Sequence, residues 1–152
     1  MQLEPVGTVR SPRNDPENTT GWGEVVARIE LVESLGTQSL VGLADFSHVD
    51  VLFWFDRAAP RDSYTGLRPA RGRADMPPIG VFGARGPYRP NPIAVSACEL
   101  VELGDTWLSV RGLDAVDGTP VLDIKPVQSQ LLPRNVREPE WSLRLMTDYY
   151  SG

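Results

Sequence analysis

The chain is written as short strand-like runs, each stopped within a few residues by turn formers, and this punctuation restricts its fold more than any other feature. Pro5-Val6-Gly7-Thr8-Val9-Arg10 reads as a strand that stops at Ser11-Pro12. Asn14-Asp15-Pro16-Glu17-Asn18 is a turn cluster. Trp22 to Leu31 alternates as a second strand, with Val25, Ala27, Ile29 and Leu31 on one side. Val49 to Phe55 is β-branched and aromatic and too short for an ordinary helix, so it reads as a buried strand. Further strands are expected at Ile79–Phe82, Ile93–Leu103, Trp107–Leu113 and Pro120–Ile124, with a hairpin turn at Leu103-Gly104-Asp105-Thr106. Leu35 to Asp45 is ambiguous and admits a short helix. Trp141, Leu145, Met146 and Tyr149 recur at helical spacing and predict a short C-terminal helix. Many strands and few helices predict a mainly β fold, a barrel or a sandwich.

Length and composition narrow this further. The 152 residues fit one domain, with no internal repeat and no linker. Apolar residues make up 41%, enough for a core, yet no apolar run approaches the roughly 20 residues that cross a bilayer. The N-terminus lacks the basic-then-apolar layout of a secretory signal, so a cytoplasmic protein without a membrane is expected. The single Cys98 agrees with a reducing compartment. Fifteen basic against 20 acidic residues leave a net charge of −5. The distribution is uneven. Arg57, Arg61, Arg68, Arg71, Arg73, Arg85 and Arg89 face only Asp62 and Asp75, a local +5 that leaves −10 on the remainder. Such a segment attracts phosphate or is simply a solvated loop. Ala58 to Pro78 shows no sustained periodicity and reads as a long arginine-rich loop.

Gly80-Val81-Phe82-Gly83-Ala84-Arg85-Gly86-Pro87-Tyr88-Arg89-Pro90-Asn91-Pro92-Ile93 is the least ordinary stretch. Its prolines fix φ and remove backbone donors, which makes a stiff loop with uncommitted carbonyls. Glycines 80, 83 and 86 permit close approach, and Arg85 and Arg89 present planar forks suited to carboxylate or phosphate. The loop suits a ligand with positive and negative ends, or serves as a polyproline-like connector.

Gly80–Ser96 (GVFGARGPYRPNPIAVS) resembles the signature loop of the TsaA-like (TrmO, formerly YaeB) family. Gly7–Pro12 resembles the opening strand of that family. Asp45-Phe46-Ser47-His48 with the strand to Phe55 is similar to its second block, and Asp117–Pro126 to its third. The resemblance runs from about Pro5 to Pro126. It implies a small β-barrel methyltransferase that uses S-adenosylmethionine and works as a homodimer, with the cofactor near the subunit contact. The implied acceptor is the exocyclic nitrogen of threonylcarbamoyl-adenosine beside the anticodon of a tRNA, with a small-molecule metabolite as the alternative.

Carried over position by position, the implied cofactor contacts fall on Pro12, Arg13 and Asn14, then on Asp56 and Arg57. The others are Arg85 and Val95, and Asp117, Gly118, Thr119 and Pro120. Asp117 suits ribose hydroxyls or an amino group, Arg85 a carboxylate, and Gly118 a turn lying close to adenine. Arg89 and Asn91 are expected to orient the acceptor. Three departures from the family pattern stand out. Gly86 occupies a usual serine position, and Gly83-Ala84 replaces Ala-Thr. Asp56-Arg57 stands where many members have histidine and a polar residue. The chain is also expected to lack the extra C-terminal domain of longer members, since it ends soon after Lys125, at Gly152.

The remaining candidates have plainer readings. His48, before a buried strand, reads as a structural hydrogen-bonding residue. Cys98 reads as a small core residue, and one histidine with one cysteine argue against a metal site. Trp54 and Trp107 read as core, whereas Trp22 beside a polar turn is expected at the surface. The Arg57–Arg73 loop is an RNA contact or a mobile lid. Phosphate-binding glycine motifs of the Walker or Rossmann type are absent, which disfavours nucleotide hydrolysis and hydride transfer.

Overall fold

Alternation along the strands gives each one an apolar face, and a sheet of this kind hides that face by curling on itself. The structure, a computed structural model, describes residues 2–57 and 65–151. Its strands are β1 (Gly7–Arg10), β2 (Val26–Leu31), β3 (His48–Trp54), β4 (Arg68–Pro69), β5 (Pro78–Ile79), β6 (Ile93–Leu103), β7 (Trp107–Arg111) and β8 (Pro120–Pro126). A short helix, α1 (Glu140–Met146), follows. Six strands run in the order β1-β2-β7-β6-β3-β8, all neighbours antiparallel, and β8 pairs back to β1, so the sheet closes on itself. β4 and β5 form a separate ribbon. The mainly β expectation holds.

Register aligns the inward residues across the ring. Val9 lies opposite Ile29, and Ile29 opposite Leu108. Val49 faces Cys98, and Phe53 lies between Ala94 and Val121. All of these are buried. Full burial of each aliphatic or phenyl side chain contributes about 1.5–3 kcal/mol, and a one-residue slip would turn the whole set outward. Register shifts at Leu52/Phe53 and Leu100/Glu102 mark bulges, the usual means of bending strands around a closed ring.

This topology sends three long connections to one end. They are residues 11–25 between β1 and β2, 55–92 between β3 and β6, and 112–119 between β7 and β8. The opposite end carries 32–47 and the tight hairpin 104–106. The chain leaves β8 at that opposite end and then returns. The carbonyls of Asp148, Tyr149 and Tyr150 accept from the amides of Gly21, Trp22 and Gly23 at 2.9–3.0 Å.

Several local expectations change. The strand expected at Ile79–Phe82 shortens to Pro78–Ile79, because Gly83 N–H closes onto Gly80 O at 2.9 Å and Val81–Gly83 coils into a 3-10 turn. The short helix admitted within Leu35–Asp45 is a single 3-10 turn at Leu43–Asp45, and another, Glu33–Leu35, overlaps the start of the stretch. Trp22 is buried, not exposed, because the returning Tyr149 packs over it with Val25 and Val116. Trp107 is half-buried, with Arg28 stacked 3.9 Å from its ring. Arg61 and the rest of the 58–64 stretch lie outside the described residues.

Candidate functional site

The exit of β1 and the entry of β8 grip each other. Ser11 N–H donates to Asp117 Oδ1 at 3.1 Å, and Asp117 N–H returns a bond to Arg13 O at 2.7 Å. Gly118 N–H reaches Val9 O at 2.8 Å, and Val9 N–H reaches Thr119 O at 2.9 Å. The turn needs φ +84° at Gly118, a left-handed conformation that glycine adopts without strain. Just past β3, Arg57 bridges both segments, with Nη1 on Asn14 O at 2.6 Å and Nη2 on Asp117 O at 2.8 Å. Its planar fork is what lets one side chain span two carbonyls. Pro12, Arg13, Asn14, Asp56, Arg57, Asp117, Gly118, Thr119 and Pro120 are therefore brought to one place. Asp117 Oδ2 and the Asp56 carboxylate accept no hydrogen bond among the described residues, so both remain available to hydroxyl or amino groups. The Arg13 guanidinium is engaged internally, on Thr20 O at 2.6 Å and Gly21 O at 2.8 Å, 4.6 Å from the Trp22 ring.

Arg85 and Val95 form a second group on the outer face of β6. Arg85 Nη2 donates to Val95 O at 2.9 Å, and its Nε and Nη1 have no partner among the described residues. Arg89 folds back on its own loop, donating to Gly86 O at 3.0 Å, Val81 O at 3.4 Å and Ala84 O. It braces the loop, and the Asn91 side chain beside it makes no hydrogen bond among the described residues. Among the described residues, no hydrogen bond runs directly between the Arg85 group and the Asp117 group.

Ser96 and Tyr149, which the sequence reading does not single out, meet at Asp114, on the stretch between β7 and the Asp117 turn. Ser96 Oγ and Tyr149 Oη donate to the two oxygens of Asp114. Burial and then the Asp114 charge push the Tyr149 hydroxyl well above the usual phenol range. The same causes, burial first, push the Cys98 thiol up to about 12. One signal for Ser96 is present in the sequence, since its parity in β6 sets it inward between Ala94 and Cys98, where a hydroxyl requires a partner. His48 opens β3 at the opposite end, its Nδ1 2.8 Å from Ser47 Oγ. A concavity of about 570 Å³ at that end is lined by Leu35, Leu40, Leu43, Phe46, Ile124 and Pro126 and holds none of the expected site residues.

Fold and site define a small β protein with a polar, loop-built surface at one end. Residues 8–131 match the family model of the tRNA-methyltransferase O N-terminal domain. The chain belongs to this family. It is 34% identical over 134 residues to an S-adenosyl-L-methionine-binding protein of Archaeoglobus fulgidus, covering 86% of this chain and 92% of that one. It is 36% identical over 137 residues to the tRNA (adenine(37)-N6)-methyltransferase of Escherichia coli, covering 83% of this chain and 57% of that one. The solved structure of TrmO from Pseudomonas aeruginosa superposes with a TM-score of 0.74 at 27% identity, over 92% of this chain and 61% of that chain. Some relatives are much longer, and the chain spans 35% of a probable S-adenosyl-L-methionine-binding protein of Archaeoglobus fulgidus that is 38% identical to it.

Proposed function

We propose that the chain is a single-domain β-barrel methyltransferase that uses S-adenosylmethionine and methylates the exocyclic nitrogen of threonylcarbamoyl-adenosine beside the anticodon of a tRNA. In this reading it is a cytoplasmic homodimer. The observation that carries the proposal is the clasp of the Asp117 turn, the Ser11–Asn14 segment and Arg57, in a chain whose relatives are named for binding this cofactor and for tRNA methylation.

The donor set fits the cofactor. Asp117 Oδ2 offers an acceptor for ribose hydroxyls or the amino group. The Nε and Nη1 groups of Arg85 offer charged donors to the carboxylate. Gly118 presents open backbone: a methyl placed on its Cα would come no closer than 4.0 Å to any neighbour, Arg57 Nη2 being the nearest, so a flat base can approach it. When bound, the cofactor supplies a methyl group on a sulfonium, suited to in-line displacement by a nitrogen. The protein's part is to bind, orient and exclude water. Arg89 stiffens the loop that presents the free amide of Asn91 to the acceptor. Phe82, Tyr88 and Val95 are 85%, 44% and 41% exposed around Arg85, and a second copy of the chain would cover them.

Comparing nucleosides from wild-type and deletion strains tests the acceptor. Loss of methylated threonylcarbamoyl-adenosine is expected, and an unchanged level overturns the tRNA assignment. The −10 carried outside Arg57–Arg89 favours a small-molecule acceptor as the second reading. Methyl transfer into a metabolite pool but not into RNA would select it.

A further inference from the structure

The two groups of the proposed donor site belong to strands that are not paired where the site lies. β7 pairs with β6 only over Glu99–Leu103, so on that side the first half of β6, from Ile93 to Cys98, has no ladder partner among the described residues. This half carries Val95, whose carbonyl holds Arg85. Past Arg111 the chain turns away at Gly112, with φ +85°, and proceeds to the Asp117 turn. On this stretch Asp114 hydrogen-bonds across the gap through its side chain, accepting from Ser96 on β6. Its other oxygen is held by Tyr149, which arrives from outside the family-matched residues 8–131.

Tyr149 is itself fixed from several sides. Its carbonyl accepts from Trp22 N–H at 3.0 Å, and Arg71 stacks 4.9 Å from its ring. Arg71 also reaches Leu145 O at 3.5 Å, which fastens the β4–β5 ribbon to the end of α1. The Gly21–Gly23 stretch that receives the tail is braced by Arg13, and the Arg13 carbonyl accepts from Asp117. The tail thus holds Asp114 and the Gly21–Gly23 stretch, the first bonded to Ser96 beside Val95 and the second to Arg13 of the clasp.

We infer that Tyr149 is a positioning residue: by fixing Asp114 it locks the unpaired edge of β6, with Val95 and Arg85, against the Asp117 turn. This rests on the proposed donor site. A hydroxyl removed from Tyr149 leaves a half-buried carboxylate oxygen without its donor and lets the edge of β6 drift from the turn. Tyr149 and Ser96 act on one carboxylate, so their effects overlap rather than add.

Calorimetry with S-adenosylhomocysteine, the demethylated product, on the full chain tests this at a temperature well below the melting point of every variant. Tyr149→Phe and Ser96→Ala should each weaken binding about tenfold, the loss of one charged hydrogen bond, and the double variant should weaken it little further. Ser96→Thr keeps the hydroxyl and should hold wild-type affinity whatever its melting temperature, which a purely structural role would not produce. Tyr150→Phe removes a hydroxyl that makes no hydrogen bond among the described residues and should bind as wild type. Wild-type affinity in both Tyr149→Phe and Ser96→Ala overturns the inference and leaves the donor site standing. A wild-type chain that does not bind the probe overturns the donor site and the inference with it. Should Tyr149→Phe fail to fold, the Ser96→Ala and Ser96→Thr pair decides.

Discussion

Arg57→Ala separates what holds the protein together from what holds the site together. The guanidinium joins residues 43 and 60 positions away, through Asn14 O at 2.6 Å and Asp117 O at 2.8 Å. Arg57 is exposed, so each bond stands at the low end of the usual range, about 0.5 kcal/mol. The two together predict a loss of about 1 kcal/mol in unfolding free energy, or about 2–4 °C in melting temperature for a chain of this size. Binding suffers too. Asp117 keeps its bonds to Ser11 and Arg13, whereas Asn14 must then be ordered by the ligand, at about 1 kcal/mol of backbone entropy. That weakens donor binding about fivefold. Arg57→Lys should restore little of it, because a point ammonium does not span two carbonyls. Urea unfolding gives the first quantity and calorimetry with S-adenosylmethionine the second. Affinity unchanged in Arg57→Ala, or fully restored in Arg57→Lys, would refute the reasoning.

Other perturbations probe separate parts of the molecule. Arg85→Ala should weaken donor binding by about 1.5–3 kcal/mol with little change in melting temperature, and unchanged affinity in calorimetry would displace the site from the proline loop. Gly23→Ala drives a methyl into the Tyr150 carbonyl, so the tail must lift and uncover Trp22, which is now 4% exposed. A red shift in tryptophan emission checks this. Cys98 is 1% exposed with its thiol pushed up to about 12, so a thiol reagent at pH 8 should not label the folded chain. The unfolded thiol ionises near its ordinary value of about 8.5 while the folded one stays protonated, so its contribution to stability is intact below that pH and is lost as pH rises toward 12. Cys98→Ala should flatten that part of a stability-versus-pH curve.

The inward face of the sheet is legible because parity alone determines it. Val25, Ala27 and Ile29 alternate in sequence and are buried in the structure. What parity does not report is what arrives from elsewhere in the chain. Trp22 sits beside a polar turn in sequence, and only the returning tail makes it a core residue. The clasp at Asp117 has the same character, since Ser11 and Asp117 are 106 residues apart and neither marks the other. Resemblance to a family, rather than spacing, points to those positions. Ile79–Phe82 misleads because its apolar run has strand composition, while the bond from Gly83 N–H to Gly80 O coils it locally.

The fold gives a physical reason for a charged residue at Asp114, where β7 parts from β6. A strand edge without a partner exposes backbone groups and invites slippage, and ordinary sheets cover such edges. Here β7 cannot continue alongside β6, because its chain must turn at Gly112 to reach the clasp at Asp117. The inward Ser96 hydroxyl needs an acceptor at that gap, and a carboxylate with two oxygens serves both it and a second donor. Tyr149 fills that second place, so the device that closes the gap in the sheet also brings the C-terminal tail to the end of the molecule where the loops meet.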